Sequence, residues 1–156
     1  MADLKIAIQK TLVHEGGFVN NSHDRGGPTK YGITQNDMPG VNIADITPEQ
    51  AIVYYQEHYV KPLYSQINDQ LLCEKIFDMG VLFGVGTAVR LLQISMAHHI
   101  DLVSDGTFGP NTLAATNQFG DLNQYKLVLA GHIVNVVTNH PGDAVFVQGW
   151  TTRVNS

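Results

Sequence analysis

An amphipathic helix that stops at a pair of glycines constrains this chain most. Leu4, Ala7, Ile8 and Leu12 recur at helical spacing, with Asp3 placed to cap the first turn. Gly16-Gly17 ends the pattern just after Glu15. From residue 18 to residue 40 the periodicity is lost. Asn20-Asn21, Asp24, Gly26-Gly27-Pro28 and Pro39-Gly40 mark turns, and Thr29 to Thr34 suits a short strand or hairpin. Helical periodicity then returns for the rest of the chain. Thr47-Pro48-Glu49-Gln50 is a helix start with a capping box, running to about Tyr59. Further helices are expected near residues 69–82, 87–98, 112–117, 122–139 and 144–154. Asp105 to Asn111 reads as a turn before a helix. The fold class is mainly α, an α+β arrangement with one small loop or hairpin excursion after the first helix.

Composition narrows the function. The 156 residues suit one domain, residues 1–156, and bury a real core. Hydrophobic residues make up 44% and charged residues 15%, which argues against disorder. The net charge of -5 argues against nucleic-acid binding, and against a helix-turn-helix DNA binder in particular. One cysteine excludes an intrachain disulfide and a multi-thiolate zinc site. Cys73, in Leu71-Leu72-Cys73-Glu74, reads as a small buried hydrophobe rather than a nucleophile. His14-Glu15 does not continue into H-E-x-x-H, and His98-His99 point apart on a helix, so no metal is expected. The apolar stretches are too short for stable membrane insertion. Met1-Ala2-Asp3-Leu4-Lys5 lacks the basic and apolar regions of a signal peptide.

Chemistry concentrates around Glu15. A carboxylate at the C-terminal end of a helix faces the negative pole of the helix dipole. That favours the protonated form unless a cation pairs with it. A protonated glutamic acid is a general acid. Asp24 offers a second carboxylate, and Thr29 and Thr34 add hydroxyls that can hold a water. Paired carboxyl groups across a cleft are what glycoside hydrolysis requires.

His14-Glu15-Gly16-Gly17-Phe18-Val19-Asn20, followed by Asp24-Arg25-Gly26-Gly27-Pro28-Thr29-Lys30-Tyr31-Gly32-Ile33-Thr34, resembles the N-terminal signature of glycoside hydrolase family 108. This is a family of lysozyme-like N-acetylmuramidases found in phage endolysins and bacterial genomes. Phe77 to Gly84, Ala88-Val89, Leu92-Gln93 and Asp105 to Gly109 with Thr112 look like the family's peptidoglycan-binding region. Phe146 to Trp150 with Arg153 looks like its C-terminal signature. Leu82 stands where the family commonly has asparagine.

The resemblance implies a lysozyme-like fold. Residues 1–66 would form a catalytic lobe and residues 67–156 a helical peptidoglycan-binding lobe. It implies cleavage of the β-1,4 bond between N-acetylmuramic acid and N-acetylglucosamine. Glu15 would be the acid, and Asp24 and Thr29 would hold the hydrolytic water. Tyr31, Thr34, Tyr54 and Asp78 are expected to bind substrate. No cofactor is implied. The expected partner is the peptidoglycan glycan strand, and the expected state is a monomer. For a phage endolysin, the chain waits in the host cytoplasm until a holin releases it to the wall. The rival reading is a lysozyme-like shell that binds peptidoglycan, or assists secretion, without cutting it.

Overall fold

The computed structural model describes residues 1–17 and 28–156. The described residues form seven α-helices and one two-stranded sheet: α1 (Leu4–Glu15), β1 (Thr29–Lys30), β2 (Ile33–Thr34), α2 (Pro48–Tyr59), α3 (Gln70–Phe83), α4 (Val85–Met96), α5 (Pro110–Phe119), α6 (Leu122–Asn139) and α7 (Val147–Asn155). Short 3-10 turns at Ile43–Asp45, Tyr64–Gln66 and Pro141–Phe146 join them. The architecture is mainly helical with a small hairpin after the first helix, a lysozyme-like fold.

Local chemistry sets the boundaries. Asp3 caps α1, its carboxylate accepting from the Lys5 amide at 2.9 Å. Gly16 follows α1 at φ 76°, where a Cβ is disfavoured, so the helix ends at Glu15. Thr47 and Gln50 complete a reciprocal capping box on α2, with Pro48 in its first turn. The carboxylates of Asp69 and Asp121 cap α3 and α6, accepting from the Leu72 and Gln124 amides. Gly84 sits at φ 88° between α3 and α4, a joint that favours glycine.

Apolar side chains gather in two clusters. One holds Ala7, Ile8, Ile33, Ile43, Ile46, Ala51, Tyr55 and Phe77, joining α1, the hairpin and α2. The larger one is built mainly from α3, α4 and α6, with Leu72, Ile76, Met79, Leu92, Tyr125 and Leu129 among its members. Helix α3 packs against α1 and α4 and contributes to both clusters, so it is the floor shared by the two. Cys73 is buried in the larger cluster, its Sγ donating to the Tyr64 carbonyl at 3.6 Å. Burial, then the carboxylates of Glu74 and Asp69, push this thiol up to about 12, which keeps it protonated. The 105–109 turn is held from beneath by buried Gln93. Its amide donates to Asp105 Oδ1, the Thr107 carbonyl and Thr112 Oγ1, and its oxygen accepts from the Gly106 amide at 2.9 Å.

Candidate active site

Glu15 is the last residue of α1, and its side chain is 18% exposed. Two distant parts of the chain meet it. Arg153, on α7, places Nη1 2.6 Å from Glu15 Oε1. The same guanidinium forks onto Asp78 of α3, with Nε 3.1 Å from both carboxylate oxygens and Nη2 2.9 Å from Oδ1. One planar cation therefore bridges two carboxylates, a geometry only arginine provides. Burial works against its charge, but the hydrogen bonds and charges of Asp78 and Glu15 outweigh that and raise its pKa further. The cation that the helix-end argument left open is thus supplied by Arg153.

The hairpin closes the other side. Thr29 pairs with Thr34 and Lys30 with Ile33, leaving Tyr31-Gly32 as a two-residue loop. Both loop residues have positive φ, 54° for Tyr31 and 72° for Gly32, the pattern of a type I′ turn. Tyrosine is a poor residue for that region, and the Tyr55 hydroxyl stabilises it by donating to the Tyr31 carbonyl at 2.8 Å. Burial, then the Glu15 carboxylate, push the Tyr55 phenol well up, so it stays a neutral donor.

Gly32 faces the acid directly. A Cβ built there would lie 2.5 Å from Glu15 Oε2 and 2.7 Å from the Tyr55 hydroxyl. Alanine at Gly32 is therefore expected to displace Glu15 as well as strain the turn, at a stability cost of roughly 1–2 kcal/mol. Gly40 is the control: it too has positive φ, 91°, but its Cβ would meet nothing within 4 Å. Gly40→Ala should lower the melting temperature and keep catalytic activity. Gly32→Ala should lower both. Equal activity in the two variants would remove Gly32 from the site.

The remaining expected site residues are placed as follows. Asp24, with Phe18 and Asn20 of the motif, lies outside the described residues. Thr29 begins the hairpin and is half-buried. Thr34 donates from Oγ1 to Asp37 Oδ2 at 2.7 Å, so this hydroxyl and Asp37 act as one unit. Tyr31 is at the hairpin tip beside Gly32, with Lys30 Nζ 5.5 Å from its ring centre. Tyr54 is half-buried against Tyr55 and stacks on His58 at 4.0 Å, with only part of its ring open to a ligand. Asp78 differs most from the expectation. Its side chain is 8% exposed and both oxygens accept from Arg153, the arginine that also pairs with Glu15. Arg153 and Gly32 entered the sequence reading only as motif residues, and neither was expected to contact Glu15. The Tyr31-Gly32 pair between two short β-prone runs is a hairpin signal in the sequence, whereas nothing local marks Arg153 as a partner of Glu15.

The model of the glycosyl hydrolase 108 family matches residues 8–84, which carry Glu15, the hairpin, Tyr55 and Asp78. The matched segment belongs to that family. Over that segment the chain is similar to glycoside hydrolases. Among solved structures it is similar to the Brucella abortus SagA structure, with a TM-score of 0.71 and 24% identity over 96% of this chain and 88% of that one. This likeness extends the shared fold past residue 84 to the helices that bring in Arg153. No protein of curated function matches the chain.

Proposed function

We propose that the chain is a muramidase that hydrolyses the β-1,4 bond between N-acetylmuramic acid and N-acetylglucosamine in peptidoglycan. The observation that carries the reading is the setting of Glu15: one oxygen on Arg153, the other against the glycine at the hairpin tip, in a chain of a glycoside hydrolase family. Glu15 is the general acid. Arg153 pairs with Oε1 of Glu15 and with Asp78. The proton to be transferred therefore belongs on Oε2, beside Gly32.

As that proton reaches the glycosidic oxygen, the bond from C1 of the muramic acid to that oxygen breaks. Positive charge develops on C1 and the ring oxygen. Water adds to C1, and its proton passes to the second carboxylate. Asp24 is assigned that role, with Thr29 holding the water. No metal or cofactor enters these steps. The place of action is the bacterial cell wall.

The identity of the new chain end tests the proposal. Purified peptidoglycan is digested, half the digest is reduced with borohydride, and the fragments are weighed. Reduced muramitol ends, with the mass of one water gained per cut, are the expected result. Reducing N-acetylglucosamine would assign the other glycosidic bond. Anhydromuramic ends would keep Glu15 as proton carrier but refute the hydrolytic part given to Asp24. Binding to sacculi without any new ends would make the chain a carrier of peptidoglycan and sink the enzyme reading.

A further inference from the structure

A cavity of about 530 Å³ lies where α1, α3 and α6 meet the end of α7. It shares Asp78 with the arginine bridge, but neither Glu15 nor the hairpin lines it. Its charges do not balance. Glu74 is met by Lys10 at 2.6 Å and Asp78 by Arg153 at 2.9 Å. Lys75 and Lys126 also line the cavity, and among the described residues neither has a carboxylate within ion-pair distance. Each spends one N–H on a carbonyl at the end of α7: Lys75 on Arg153 at 2.7 Å and Lys126 on Asn155 at 2.9 Å. An ammonium has three N–H donors, so both keep donors to spare. Lys75 is buried. That burial lowers its pKa, Asp78 raises it, and Lys126 lowers it again, so the two cations are near enough to repel.

Thr11 is a second, independent sign of a ligand. It is 1% exposed, it lines the cavity, and its Oγ1 has no hydrogen-bond partner among the described residues. A buried hydroxyl costs stability unless something bonds to it. The rest of the wall is apolar. Val13 and Leu71 line the cavity with Leu122, although 81% of Val13 and 57% of Leu71 is exposed. We propose that this cavity binds an alkyl carboxylate. Its oxygens take the spare donors of Lys75 and Lys126 and the Thr11 hydroxyl, and its chain lies along Val13, Leu71 and Leu122. A bare oxyanion would leave that apolar wall unused, and a neutral chain would leave the two cations unanswered. A free alkanoate and the C-terminus of a peptide with an apolar last residue offer the same chemistry. The inference is independent of the muramidase reading.

Calorimetric titration of the whole protein reads the affinity. Octanoate, below its micelle range, and N-acetyl-leucyl-leucine are the two probes. Whichever binds more tightly tells a free alkanoate from a peptide end, and either one supports the site. Octanol and octylamine carry the chain without the carboxylate, while acetate and inorganic phosphate carry the charge without the chain. The tighter probe should exceed all four by at least about tenfold. Lys126→Met should weaken it roughly ten- to hundredfold, the scale of a hydrogen bond to a charged group. Thr11→Val removes the unpartnered hydroxyl and keeps the shape. It should weaken binding roughly three- to tenfold while the melting temperature holds or rises. A merely structural hydroxyl would leave binding untouched. Octanol binding as tightly as the better probe would reduce the cavity to an apolar patch, and phosphate doing so would reduce it to a bare charge. Either result overturns the proposal, as does unchanged affinity in both variants or no binding of either probe.

Discussion

Glu15→Gln is expected to reduce sacculus hydrolysis by roughly 100- to 10,000-fold, the range that general-acid assistance provides. The substitution keeps the shape and the Oε1 acceptor but removes the transferable proton. It should leave the fold intact, because Arg153 still forks onto Asp78 and so α7 stays docked on α3. Turbidity loss of purified sacculi gives the rate, and a melting curve on the same preparation gives the stability. A well-folded glutamine variant that lyses sacculi at near wild-type rate would remove Glu15 from the mechanism.

Arg153→Met should have the second largest effect, and it should appear in stability as much as in activity. The side chains of Arg153, Glu15 and Asp78 are 12%, 18% and 8% exposed. Removing the cation leaves two mostly buried carboxylates without their counterion. Breaking a buried pair from one side costs roughly 3–5 kcal/mol. For a domain of this length that lowers the melting temperature by on the order of 10 °C. Activity should fall at least about tenfold, because a displacement of Glu15 by an ångström or less already spoils proton transfer. Arg153→Lys separates the two effects. A lysine restores positive charge but cannot reach Glu15 and both Asp78 oxygens with one planar group. It should recover part of the stability and little of the activity. A methionine variant melting within about 1 °C of wild type would show that the bridge contributes nothing to the fold.

The sequence revealed elements better than the contacts between them. Helix α1 was legible from spacing, an N-cap and a glycine stop, all local signals, and α2 from its capping box. Helix α4 begins two residues before the expected start and α5 extends two residues past its expected span at each end, with Pro110 in its first turn. Glu15 stood out because its helix ends at it. The pairing of Asp78 with Arg153 was not legible. As an acidic residue in a motif it reads as a ligand for sugar, and only its pairing with Arg153 shows that its oxygens are already taken. Gly32 is similar: a glycine in a hairpin always suits the turn, but which atoms face it depends on how α1 and α2 converge on the hairpin.

The Glu15–Arg153 bridge joins one of the first elements to one of the last, which gives the order of assembly a meaning. Hairpins and isolated helical turns form within microseconds, whereas contacts between chain-distant residues wait on loop closure. A polypeptide emerging from the ribosome presents the Glu15 motif and the hairpin long before α7 exists. For all of that time the acid is without the arginine that fixes it. Competence is therefore a late property of the whole chain rather than of the conspicuous N-terminal motif. A fragment carrying every residue of the family match would lack the part that sets its glutamate in place.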